Sequence, residues 1–229
     1  MTVEGSNGML ERITVDEAVR ELRPDFAVLV MTAEGLANGP SDAASEAWLR
    51  EAAEQADAAD PHVEAWREAY RAFGAKPKRT RPSVDALLRR ADALPAINKV
   101  VDAYNAVSVA HALPIGGEDL DAYQGPAHLV RAAGDEPFDV IAAGEPAVEH
   151  PEPGEVVWRD DAGVTCRRWN WRQCVRTRLT EETENGLFLL ERLAPYPLER
   201  LQAAGDELAA RLREISPDVR IESRLVGGA

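Results

Sequence analysis

Ile97–His111, INKVVDAYNAVSVAH, runs straight into Ala112–Asp121, ALPIGGEDLD, and the reading of this chain turns on that junction. Val100, Val101, Tyr104 and Val107 form an apolar stripe at helical spacing. Asn98, Asp102 and Asn105 fall at i, i+4 and i+7 and share a different face. Asn and Asp are poor residues for a helix interior, where a solvated face draws more cheaply on Glu, Lys or Arg. Two readings stand: this face lines a polar pocket, or it is a solvated face with an N-cap. At Pro114 the helical pattern stops, and Gly116-Gly117 and Gln124-Gly125-Pro126 are turn signals.

Before that point the chain reads mostly as helix. Residues 1–25 form a lead-in, and Phe26–Met31, FAVLVM, has the continuous apolar character of a buried strand. Ser41 and Asp42 start a helix over Ala43–Ala58, and Asp60-Pro61 starts another that places Val63, Trp66, Tyr70 and Phe73 inward, ending at Gly74. Val84–Ala93 is a third. After Pro114, strand-like runs occupy 127–132, 138–142, 155–159, 163–169, 176–179 and 185–193, with a proline-rich loop at 144–154. An amphipathic helix over Pro195–Ile215 and a strand over Val219–Val226 close the chain. The order predicts a single α+β domain over residues 26–229, a layered mixed or antiparallel sheet with helices packed on it.

At 45% hydrophobic and 29% charged residues, the composition is that of a globular protein, with no apolar run of membrane-spanning length. Met1–Arg12 lacks the layout of a signal peptide, so a cytoplasmic location is expected. The net charge of −14 argues against non-specific coating of nucleic acid, and no DNA partner is expected. The cations are clustered, however. Lys76, Lys78, Arg79, Arg81, Arg89 and Arg90 fall in one stretch against Asp85 alone, and Arg167, Arg168, Arg172, Arg176 and Arg178 in another with no acid. Such patches on an acidic body suit brief contact with a nucleic acid, or are ordinary solvated surface.

Phosphate-loop, dinucleotide and nucleophile-elbow motifs are absent, and the four histidines lack metal-ligand spacing. Neither a cofactor nor a metal is expected. Cys166 and Cys174 cannot make a disulfide framework; arginine-rich surroundings could activate a thiol, though buried inert thiols are commoner. Read as extended, Cys166–Cys174 points Arg168, Asn170 and Arg172 to one face and Trp169 and Trp171 to the other. The polar face then offers donors to an anionic or carbonyl-rich ligand, or its arginines pair with Glu145, Glu155 or Asp160. Thr177, Thr180 and Thr183 follow at spacings of three and suit ligand hydroxyls or a turn.

The pieces Leu94–Asn105 and Ala112–Asp121, with Arg81–Arg90, Gly154–Trp158, Arg168–Arg172 and Arg176–Thr183 in order around them, resemble the B3/B4 domain of the phenylalanyl-tRNA synthetase β subunit. They resemble the free-standing B3/B4 proteins still more closely. The resemblance runs from about Phe26 to Leu193. It implies a layered α+β domain whose pocket hydrolyses the ester of mischarged aminoacyl-tRNA, here as a trans-acting deacylase on the aminoacylated 3′ end of tRNA. One departure stands out: where the synthetase motif carries a histidine after a Pro-Leu step, this chain reads Pro114-Ile115-Gly116-Gly117.

Under that resemblance, Gly116 and Gly117 N–H groups are candidates for an oxyanion site, since glycine lets the backbone approach closely. Asn98, Asp102 and Asn105 are candidates to hold water or the substrate amino group. Asp102 or Glu118, raised by burial, is a candidate base. Arg168, Asn170, Arg172 and Thr177 are expected to bind substrate. Lys76, Lys78, Arg79 and Arg81, in a loop that prolines keep extended, are expected to meet tRNA. The competing expectation is a non-catalytic module that binds tRNA, an amino acid-like ligand or a partner protein through the same pocket.

Overall fold

Two antiparallel-rich sheets and the helices between and around them enclose the cores of this computed structural model, which describes residues 6–228. The elements are α1 (Ser6–Arg12), β1 (Thr14–Val15), α2 (Glu17–Leu22), β2 (Ala27–Glu34), α3 (Ala43–Gln55), α4 (Pro61–Ala72), α5 (Ser83–Leu88) and α6 (Lys99–His111). There follow β3 (Ile115–Asp119), β4 (His128–Arg131), β5 (Phe138–Ala142), β6 (Glu145–Glu149), β7 (Val156–Arg159), β8 (Val164–Arg167), β9 (Arg172–Gln173), β10 (Asn185–Arg192), α7 (Leu198–Ile215) and β11 (Arg220–Gly227). The α+β class holds. The strands divide into a four-stranded sheet ordered β11-β2-β10-β3, a five-stranded sheet ordered β1-β4-β7-β8-β9 and the hairpin β5-β6. Among the described residues, only β1 and β4 pair in parallel.

The apolar run in β2 is explained by burial on both faces. Val28 and Val30, with Leu187 and Leu189 of β10, face a core shared with Trp66, Trp158 and Trp169. Leu29 and Met31, with Phe188 and Leu190, face α6 and α7 on the other side. The segment before Phe26 takes part in this packing: β1 extends the five-stranded sheet, and Ile13 and Val19 are fully buried. Residues 1–5 of the lead-in lie outside the described residues. The helices start where capping side chains allow. Asp42 accepts from Ala44 and Ser45 N–H, and Asp60 from His62 N–H ahead of Pro61.

Several sequence expectations need correction. The third helix is one short helix and a 3₁₀ turn over Ala91–Ala93. Gly116-Gly117 is strand β3 rather than a turn, and part of the proline-rich loop is strand β6. Residues 176–179 form a turn that touches β3 through a bridge from Arg178 to Glu118. The strand read over 163–169 stops at Arg167. Arg168 and Trp169 take positive φ values of 48° and 68°, folding the segment into a tight connection so that Cys166 lies opposite Gln173. That turn drives Trp169 into the core against Phe26 and Trp66.

Candidate functional site

The α6 helix, the facing edge of the four-stranded sheet and the β8–β9 turn meet around a cavity of about 270 Å³. Its walls are mostly apolar: Leu87, Val101, Tyr104, Ile115 and Leu189 beside Trp158, Trp169 and Trp171. Set into those walls are Asn105, Gly116, Glu118, Asn170, Gln173 and Glu191, with Arg90 and Arg172 also lining the space.

Register explains why these residues converge. Glu191 N–H donates to Pro114 O, so the odd residues of β10 turn their backbone groups toward β3. Leu187, Leu189 and Glu191 therefore share one sheet face with Gly116 and Glu118, and that face looks into the cavity.

Glu118 is buried and accepts the Tyr123 hydroxyl, which also lies 3.4 Å from Thr165 Oγ1. Burial pushes its carboxyl up to about 7, against the lowering effect of hydrogen bonds from Tyr123, Thr177 and Thr165. Glu191 accepts from Trp158 Nε1 at 2.7 Å and from Asn170 Nδ2 at 2.8 Å. Burial pushes it up to about 8, and the charge of Glu118 adds to the rise. No ion pair reaches either group among the described residues. Two carboxyls that exchange protons near neutrality thus face one apolar cavity.

Asn105 is nine-tenths buried, and its amide finds no hydrogen-bond partner among the described residues. The other two residues of its helical face are engaged elsewhere, which corrects the expectation that all three line a pocket. Asn98 is the N-cap of α6, accepting from Val101 N–H at 3.0 Å and from Asn38 Nδ2 at 3.2 Å. Asp102 is completely buried, holding Ile97 N–H and Ser45 Oγ at 2.8 Å each, and so ties α3 to the start of α6.

The glycines also differ from expectation. The β3–β10 register sets Gly116 opposite Leu189 in a hydrogen-bonded pair, so its N–H belongs to the ladder and not to an oxyanion site. Gly117 points the other way. A Cβ there meets Tyr104 at 2.7 Å and Leu179 at 2.8 Å, so close packing demands glycine. Its carbonyl accepts from Gln173 Nε2 at 2.8 Å.

Arg168 leaves the face of Asn170 because of the turn. It pairs with Glu155 at 3.5 Å and stacks over Trp171 at 4.5 Å. That Arg168–Glu155 pair is the structural pairing weighed against ligand binding, and Arg167 reinforces it by binding Glu155 through two nitrogens at 2.9 Å. Arg172 stays at the cavity, 3.4 Å from Glu149. Asn170 Oδ1 accepts from Tyr70 at 2.9 Å, so the side chain joins Tyr70 to Glu191. Thr177 is fully buried behind Glu118 and does not line the cavity. Both thiols are buried, and burial pushes them up, the opposite of activation.

The basic loop is a compact turn, not an extended strand: Lys76 O accepts from Arg79 and Thr80 N–H, after Gly74 at φ 88°. Lys76 and Arg79 line a second cavity of about 240 Å³ with Arg168, Glu152 and Glu155. Arg81 lies 3.9 Å from Asp85, while Lys76, Lys78 and Arg79 make no ion pair among the described residues. No group of side chains suited to a metal ion, and no helix long and apolar enough to cross a membrane, occurs among the described residues.

Glu191 and Gln173 were not singled out from sequence, and Trp169 and Trp171 only as residues facing away from Arg168, Asn170 and Arg172. Glu191 did leave a signal. It keeps the alternation of Leu187 and Leu189 in a strand otherwise buried on both faces, where a lone acid is out of place.

Fold and cavity together define an α+β module with a mostly apolar pocket that bears two buried carboxyls, Glu118 and Glu191. The chain belongs to the B3/4 domain family, whose model matches residues 65–213. A search of curated proteins gives no match. Among solved structures the chain is similar to an N-terminal fragment of the phenylalanyl-tRNA synthetase beta-subunit from Pyrococcus horikoshii, at 16% identity and a TM-score of 0.46. The likeness covers 91% of this chain and 49% of that one, so this chain spans about half its length.

Proposed function

We propose that the cavity hydrolyses the ester joining an amino acid to the 3′ end of a mischarged tRNA, acting in trans. The observation that carries this reading is the Asn105 amide, unbonded to protein among the described residues and lining the same cavity as Glu118. An aminoacyl ester is already activated, so the task is to place water and relieve it of a proton. Glu118, near its midpoint at neutral pH, takes that proton as water attacks the carbonyl carbon. Asn105 donates to the carbonyl oxygen as it gains charge. The C–O bond to the ribose then breaks, and the ribose oxygen leaves with the proton held by Glu118. Apolar walls ending at Glu191 and Asn170 take the amino-acid side chain. Arg90 and Arg172 face the ribose-phosphate end, and Lys76, Lys78, Arg79 and Arg81 meet tRNA farther out.

A second reading is favoured by one observation. The cavity lining contains no histidine, and the Gly116 N–H is committed to the ladder. On that reading the pocket binds an amino acid-like ligand, tRNA or a partner protein without chemistry. Deacylation by the purified protein, tested on a panel of tRNAs each charged with a non-cognate amino acid, separates the two. Accelerated release from at least one member supports hydrolysis. Retention on the protein with no acceleration from any member supports binding alone.

A further inference from the structure

The four-stranded sheet has two edges, treated very differently. At β3 the edge is closed: Gln173 donates to Gly117 O, and Asp119 N–H donates to Thr177 O. At β11 it is open. Gly228 N–H donates to Phe26 O, and the register sets Val226 opposite Val28, so the even residues of β11 spend their backbone groups on β2. The N–H and C=O groups of Ile221, Ser223 and Leu225 therefore point outward, with no partner among the described residues. The strand is eight residues long, without proline or bulge, and its charged residues Arg220, Glu222 and Arg224 alternate in sign.

We infer that two copies of this chain pair antiparallel through β11, joining their sheets about a two-fold axis at Ser223. Only odd residues present outward groups, so only registers that pair odd with odd can form a ladder. Centring on Ser223 sets Glu222 opposite the partner's Arg224 and Ile221 opposite the partner's Leu225, each twice by symmetry. Centring one residue away sets Glu222 against its own copy, or Arg224 against its own copy, and like charges directly opposed oppose pairing. The Ser223 register also covers Leu225, 46% exposed and one of four large apolar side chains so exposed among the described residues. Glu222 and Arg224 fall at a position where facing side chains approach most closely. Arg224 is already steadied by donating to Leu10 O at 2.6 Å and Ile13 O at 3.0 Å, and its ion pair with the exposed Glu11 at 3.4 Å is shared with or exchanged for the partner's Glu222 on pairing. The active cavity lies toward the opposite edge, among β3 and the β8–β9 turn, so pairing leaves it open.

Light scattering coupled to gel filtration tests this on the full chain. The expected mass is twice that of one chain, falling toward one on dilution. Ser223→Pro removes an outward N–H without touching the β2 ladder, and the expected result is a single-chain mass at every concentration. Ser223→Cys places two thiols across the axis. Under mild oxidation it is expected to give a covalent dimer, whereas Glu222→Cys, whose opposite residue is the partner's Arg224, is not. A single-chain mass for the parent throughout, or an unchanged dimer in a folded Ser223→Pro, overturns the inference. If Ser223→Pro does not fold, the cysteine pair decides: cross-linking through residue 222 but not 223 overturns it.

Discussion

His62 shows how a residue type with catalytic potential can be wholly structural. Its Nε2 accepts from Trp66 Nε1 and Leu193 N–H, both at 3.0 Å, leaving Nδ1 to donate to Ala112 O at 2.9 Å. Burial lowers it to about 4. The folded value lies below the unfolded one, so the stability it confers is complete above about pH 6.5 and lost as pH falls through about 4, by roughly 3 kcal/mol. Urea unfolding at stepped pH should show that loss, and His62→Gln should flatten it; an equal loss in the variant contradicts the assignment. Glu118 and Glu191 act in the opposite sense. Their folded values are raised, so their contribution is complete below about pH 4.5 and is lost as pH rises through 7 and 8. The buried carboxylates also separate by role. Glu118→Gln is expected to slow deacylation by about 10²-fold or more. Asp102→Asn is expected to lower stability while leaving the pH dependence of the rate in place, because Asp102 holds helix ends and not substrate. A pH-rate profile altered by Asp102→Asn but not by Glu118→Gln reverses those roles.

Strand β3 carries the clearest contrast at the scale of an element. Gly116→Ala adds a methyl 3.6 Å from Gln173 Nε2, in ordinary contact, but on the cavity wall. Gly117→Ala drives a methyl into Tyr104 and Leu179 and is expected to cost about 1–3 kcal/mol. Denaturant unfolding should show Gly117→Ala as the weaker protein, while ligand affinity or deacylation should fall more in Gly116→Ala than stability does. Equal stability losses contradict the packing described. The same strand shows what sequence could and could not convey. Apolar period gave β2, α4, α6 and α7 nearly to their ends, because burial on a regular element leaves a repeating trace. Two glycines in a row read as a turn, since the reason for Gly117, a ring packed from a distant helix, is not local. Alternation over Cys166–Cys174 failed for a related reason: the gain from burying Trp169 outweighs two residues of left-handed backbone. Asn105 was legible as a polar residue on a helix face, but whether Asn98 and Asp102 joined it depended on caps and on α3, which spacing does not encode.

Over the whole molecule, an acidic body carries a local basic turn, and under the proposed function that turn is where tRNA would be met. Lys76, Lys78 and Arg79 make no ion pair among the described residues, so replacing all three with Ala is expected to weaken tRNA binding and reduce the salt slope by up to about three. Hydrolysis of a minimal aminoacyl ester should persist, because the cavity is untouched; an unchanged slope moves the contact to another surface. The central claim is that one cavity, through Glu118, performs the hydrolysis. Its most direct test is the deacylation rate of a mischarged tRNA against pH, measured for the parent and Glu118→Gln with binding confirmed for both. The parent rate should rise through about pH 7 as Glu118 loses its proton, and Glu118→Gln should bind the same tRNA while losing both the rate and that rise. A parent that binds but never accelerates deacylation, or a Glu118→Gln variant with the parent's rate and profile, contradicts it.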